Sequence, residues 1–223
     1  MRPTGRPEPT PLPPRDAQAL ADLIKETFGA TCTISGHQSL VRDHDYSVVR
    51  LWLAQPTLQV VVKLAGLHAR IPCPFERMEA INRLVRTHTN VPNNGIIATD
   101  TSQRRWPWRY MIMTHIEGYR WANVLPYIEA DQAADVRRQL GIAVATLHNI
   151  RFEQFGEIDA NATIPFGAKY LQALTQRLEK YITHPRRVTN LSALLWERSR
   201  LFSDIGDAGL THENLTPANI MLR

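Results

Sequence analysis

Tyr46-Ser-Val-Val-Arg-Leu-Trp-Leu53 and Leu58-Gln-Val-Val-Val-Lys-Leu64 are two runs of β-branched, aromatic and aliphatic residues, separated only by Ala54-Gln-Pro-Thr57. Four residues can join antiparallel strands but not parallel ones, which need a crossover of a dozen residues or more. The first half of the chain must therefore contain an antiparallel hairpin. Thr31–Ser35 reads as a short strand ahead of it, giving a meander, and Ile96–Thr99 and Arg109–His115 read as two further strands. Asp16 is placed to cap a helix from Ala17, with Leu20, Leu23, Ile24 and Phe28 at helical spacing and Gly29 to end it. A second helix, Phe75–Arg86, carries Met78, Ile81, Leu84 and Val85 on one face.

The second half reads as helical. Glu129–Ile150 has an apolar stripe at Ala133, Val136, Leu140, Ala143, Val144 and Leu147, and Phe166–Ile182 and Asn190–Phe202 are expected as further helices. Asp204–Gly209 is a loop, and Leu210–Leu222 has no period. The length, 223 residues, suits one domain or two small lobes. No apolar run approaches the roughly 18–20 residues of a membrane span. The basic start Met1-Arg-Pro-Thr-Gly-Arg-Pro is followed by no apolar stretch, so neither a secretory leader nor a membrane partner is expected and the location is expected to be cytoplasmic. Residues 1–15 hold six prolines and read as a disordered, polyproline-like arm. Cys32 and Cys73 lack metal-type spacing and are expected as buried free thiols. The net charge is +5, but the arginine pairs 104–105, 137–138 and 186–187 are scattered, which argues against nucleic acid and suits a small anionic ligand.

The aperiodic end carries the chemistry. Leu210-Thr-His-Glu-Asn-Leu-Thr-Pro-Ala-Asn-Ile-Met-Leu222 resembles the His-x-Asp-x-x-x-x-Asn loop of kinases. It is more similar still to the His-Gly-Asp-Leu-His-Pro-Gly-Asn-Ile-Leu form of aminoglycoside phosphotransferases and choline-kinase-like enzymes, which it matches at His212, Leu215, Pro217, Asn219 and Ile220. The spacing has a reason. Such a loop presents a carboxylate to an acceptor hydroxyl and, five residues on, an amide oxygen to a metal, and phosphoryl transfer runs mostly on positioning and charge neutralisation.

Other pieces occur in the family's order. Lys63 in Val60-Val-Val-Lys-Leu64 resembles the strand lysine that pairs with ATP phosphates, and such a lysine takes a carboxylate from the next helix. Glu76 and Glu79 are the candidates, three apart on one helix face, with Glu79 preferred. Arg86-Thr-His-Thr-Asn-Val-Pro92 resembles the step after that helix, and Tyr110-Met-Ile-Met-Thr-His-Ile-Glu-Gly118 the strand and hinge. Leu140–His148 followed by Phe155-Gly-Glu-Ile158 resembles the first long helix of the second lobe and the loop after it; His148 is read as structural.

The resemblance runs from about Thr31 to Arg223 and implies an α+β, bilobal protein-kinase-like fold. The expected layout is an N-lobe at 16–115, an antiparallel sheet with helices, and a mostly helical, incomplete C-lobe at 116–223. It implies ATP and Mg2+ as cofactors and transfer to a small-molecule hydroxyl. Thr114, His115 and Ile116 would offer backbone groups to adenine, Ser39 in the Ser35–Tyr46 phosphate loop (with Gln38 and His44) would donate to phosphate, His212 would pack the loop, and Asn219 would bind magnesium. Three departures stand beside this. Asn214 occupies the position of the family's catalytic aspartate, the strand with a second magnesium aspartate is absent from these 223 residues, and the phosphate loop has one glycine, Gly36. They keep open an alternative: a pseudokinase-like module that binds a nucleotide or a partner without transfer.

Overall fold

A computed structural model describes residues 14–43, 45–69 and 74–223. Most of the proline-rich arm, His44 and Cys73 lie outside these residues. The chain divides into two compact units, one made of the residues up to Asn82 with Pro92–Glu117, the other of Arg83–Val91 with Gly118–Arg223.

The first unit is built on a five-stranded sheet in the order β1-β2-β3-β5-β4, from β1 (Ile34–Asp43), β2 (Tyr46–Leu53), β3 (Leu58–Ala65), β4 (Ile96–Asp100) and β5 (Arg109–Thr114). All neighbours are antiparallel. The expected turn joins β2 to β3, with Leu53 opposite Leu58. Helix α1 (Pro14–Phe28) begins before the expected cap at Asp16, because proline's fixed φ suits the first helical position. Leu20, Leu23 and Ile24 of α1 are fully buried against Val49, Leu51, Val60, Val62 and Ile112 on one sheet face. Helix α2 (Phe75–His88) covers the other, where Phe75 and Met78 meet Ala65, Met111 and Met113. Period-2 alternation sends Val60, Val62 and Leu64 to the α1 side and Val61, Lys63 and Ala65 to the α2 side.

The first strand departs from expectation. Instead of ending at Ser35 and yielding to a loop, β1 runs to Asp43 and pairs with β2 along its length, with irregularities at Ile34/Gly36 and Ser39/Val41. The β-branched partners Val48 and Val49 on β2 sustain the ladder that the glycine-poor segment was expected to leave.

In the second unit, β6 (Tyr119–Arg120) and a short helix, α3 (Trp121–Val124), lead to α4 (Ala130–His148). Glu129 opens α4 with a capping box to Gln132. Strand β7 (Arg151–Phe152) follows, then α5 (Tyr170–Tyr181) and α6 (Pro185–Glu197). Helix α5 starts later than expected because Ala168 is drawn into a bridge with Phe155. Helix α6 starts earlier, at a proline near its N-terminus, and a separate 3-10 turn covers Ser199–Phe202. Strands β8 (Ala208–Gly209) and β9 (Met221–Leu222) complete the chain. No helix among the described residues is long and apolar enough to cross a membrane.

Candidate active site

The segment from Leu210 to Ile220 is suspended between two short ribbons, β7–β8 before it and β6–β9 after it. Leu210 N–H donates to Ile150 O (2.9 Å), and Trp121 N–H to Ile220 O (2.9 Å). Between these anchors the backbone makes tight turns. Asn214 N–H donates to His212 O at 2.8 Å, Thr216 N–H to Asn214 O at 3.0 Å, and Asn219 N–H to Thr216 O at 2.9 Å. Pro217 to Asn219 form one 3-10 turn.

The two asparagines are coupled. Asn219 Nδ2 donates to the backbone oxygen of Asn214 at 3.0 Å. An amide has one donor end and one acceptor end, so anchoring the NH2 fixes the side chain and leaves Oδ1 as its acceptor. His212 is exposed rather than packed. Its part in ordering the loop is a long contact from Asn214 N–H to its Nδ1 (3.4 Å). Asn214 is likewise exposed, an amide that can hydrogen-bond a hydroxyl but cannot take up its proton.

In the first unit, Lys63 stands opposite Val48 on β2 and Met111 on β5, half-buried on the sheet face that α2 covers. Glu79 is half-buried and follows Phe75 by four positions and Met78 by one, so helical spacing brings it to the sheet-facing stripe. Glu76 points elsewhere: it is exposed and accepts a hydrogen bond from Thr101 Oγ1. Ser39 is exposed on β1, opposite Val49, on a strand rather than a loop. At the tip of this hairpin, Asp45 accepts a hydrogen bond from His68 N–H at 2.6 Å, and its backbone O accepts one from Gly66 N–H at 2.9 Å.

The hinge is partly committed to the sheet. Thr114 N–H donates to Gly95 O at 2.8 Å and His115 N–H to Gln59 O at 3.1 Å. No hydrogen bond among the described residues uses the Ile116 N–H. Burial, with Arg50 nearby, pushes the His115 imidazole below its usual pKa, and Glu117 opposes this. Cys32 is a free, buried thiol whose pKa is raised by burial.

Two residues outside the expected set belong to this region. Glu213 has a φ of 62°, and its carboxylate pairs with Arg177 of α5. That hydrogen bond raises the guanidinium pKa, against the opposing effect of burial. The signal was present in the sequence: Glu213 stands where the His-Gly-Asp pattern has glycine, the residue suited to a left-handed turn.

Residues 40–223 match the profile of the phosphotransferase enzyme family, APH. The chain belongs to this phosphotransferase family. Solved structures agree on the fold, which is α+β and protein-kinase-like. A protein described as an aminoglycoside phosphotransferase from Ralstonia eutropha JMP134 is 16% identical, with a TM-score of 0.52 over 74% of this chain and 46% of its own. A thermostable mutant of aminoglycoside phosphotransferase APH(4)-Ia, in ternary complex with ADP and hygromycin B, is 11% identical, with a TM-score of 0.55 over 83% of this chain and 60% of its own. At such identities the likeness concerns the fold. The chain thus spans between 46% and 60% of the length of these two relatives. A search of the curated proteins found no match.

Proposed function

We propose that this chain carries the nucleotide-binding and loop elements of an ATP-dependent phosphotransferase acting on a hydroxyl of a small molecule. The observation that carries the reading is the Asn219–Asn214 hydrogen bond within a loop anchored at both ends, which leaves one amide oxygen set for a cation. On this reading Lys63 takes nucleotide phosphate, Glu79 orients the lysine, and the 114–116 segment meets adenine through the Ile116 N–H and its carbonyls. The relative crystallised with ADP and hygromycin B is consistent with a nucleotide and a hydroxyl-bearing acceptor.

Magnesium, when carried in on the nucleotide, neutralises phosphate charge. This chain offers it the Asn219 amide oxygen. The described residues hold no group of three or more His, Cys, Asp or Glu able to bind a metal alone. The fit is therefore partial, since magnesium favours one or two carboxylates beside the phosphates. Asn214 can orient an acceptor hydroxyl, and the proton it cannot accept must leave to water or phosphate. Loss of a general base costs on the order of 10²–10⁴ in rate.

A second reading, a nucleotide- or partner-binding module without transfer, is favoured by Asn214 and by the anionic Asp45 at the β1–β2 tip, an unfavourable neighbour for phosphate. A thermal-shift titration with MgATP tests the binding shared by nucleotide readings. At a hundredfold excess over Kd, stabilisation of about 2.7 kcal/mol is expected, and it should vanish in Lys63→Ala. A cooperative melt with no shift would sink nucleotide binding. Where the shift is present, a gain of phosphotransfer in Asn214→Asp supports the enzyme reading, and its absence supports the module.

A further inference from the structure

Glu213 occupies a backbone state that disfavours it. At a φ of 62° it lies in the left-handed region, where a residue with a Cβ is disfavoured by roughly five- to thirtyfold. Something must hold it there. Its carboxylate meets the guanidinium of Arg177, which also lies 5.6 Å from the Tyr181 ring centroid. One turn further along α5, Lys180 pairs with Glu157 and lies 5.3 Å from the same ring. Helix α5 has no fully buried side chain; at its start Tyr170 meets the Phe155 ring at 5.1 Å, and toward its end these two ion pairs tie it to the loops that carry Glu157 and Glu213.

We infer that Glu213 is a positioning residue: its pair with Arg177 latches the His212–Asn219 loop to α5 in the left-handed turn that sets Asn214 and Asn219. The latch acts through charge and not through contact with substrate. Arg177 and Glu213 remain 44% and 39% exposed, so the pair is screened and its effect is modest. Its purpose in phosphoryl transfer rests on the reading above; its existence does not, and the two can fail separately.

The test is hydrogen exchange by mass spectrometry on the full chain, comparing a peptide spanning 210–222 with a control spanning 46–65. Glu213→Gln and Arg177→Gln should each speed exchange in 210–222 by about two- to fivefold and leave the control unchanged. The double variant should cost less than the sum of the two single variants, because both remove the shared ion pair. The reversed pair, Arg177→Glu with Glu213→Arg, should return exchange to within about twofold of the parent, and 1 M salt should narrow the gap between parent and variants. Unchanged exchange in Glu213→Gln, additive single effects, or no rescue by the reversed pair would overturn the latch. A MgATP thermal shift on the same proteins separates the claims: a shift without the exchange difference sinks the latch alone, and the exchange difference without a shift sinks nucleotide binding alone.

Discussion

The two units achieve order by different means. In the first, helices cover both faces of a sheet, and Leu20, Leu23, Ile24, Leu51, Val60, Val62 and Ile112 are wholly buried. In the second, α5 and α6 have no buried side chain, and Leu194 and Trp196 remain 49% and 54% exposed. Its buried residues sit mainly where chain segments meet the short ribbons: Trp121, Leu147, Ile150, Ala208 and Leu210. A sheet carrying an apolar face on each side closes a core with two helices, whereas paired amphipathic helices leave outward stripes. The residues proposed for nucleotide thus stand on a consolidated scaffold. The His212–Asn219 loop depends on backbone hydrogen bonds and the exposed Arg177–Glu213 pair, which withstand less.

Core truncation gives the largest expected contrast. Leu51→Ala removes a fully buried side chain and should cost about 2–5 kcal/mol, read from urea unfolding. Leu194→Ala, at a half-exposed site on α6, should stay within about 0.5 kcal/mol. Equal losses would show that the α6 face is packed in solution and would erase the contrast.

Gly118 probes the ribbon that anchors the loop. Its φ is 137°, and a Cβ there would lie 2.2 Å from the backbone oxygen of Leu222. Neither the dihedral nor the contact can relax without parting β6 from β9. Gly118→Ala should cost about 1–3 kcal/mol. It should also speed hydrogen exchange at 119–122 and 219–222 while sparing β2 and β3. Exchange rising equally in both units would mean that they do not respond independently.

The same contrast governs what the sequence made legible. The β2–β3 hairpin could be read directly, because two β-branched runs around a short turn admit one arrangement. The family was legible because His212, Pro217 and Asn219 occur at fixed spacing, and that spacing survives in the turns of the loop. The extent of β1 was missed because its pairing energy comes from Val48 and Val49 on another strand, a tertiary contribution that local composition does not report. The ends of α5 and α6 were missed for a similar reason: the Phe155–Ala168 bridge overrides helical pattern before Tyr170, and Pro185 starts a helix where the apolar period is weak. Glu213 was passed over although it stands where the pattern has glycine, and its partner left no signal, since Arg177 lies thirty-six residues away and no period links them.

The smallest effect should come from pH, through the first unit. His115 is held below its ordinary pKa by burial and by Arg50, and its Nδ1 is buried without a hydrogen-bond partner. The unfolded chain titrates near 6.5 and therefore binds the proton more readily than the folded one. Stability from keeping the ring neutral is present above about pH 6.5 and is lost as pH falls through the lower folded value. Urea unfolding of the parent should weaken between pH 7.5 and 5, and His115→Gln should flatten that part of the profile. Because the group follows β5 directly and its N–H is bonded to Gln59 O of β3, hydrogen exchange should report the loss at β3 and β5 and not at 210–222. A profile unchanged by His115→Gln would mean that the imidazole is solvated, and that the hinge is looser than the hydrogen bond from His115 N–H to Gln59 O implies.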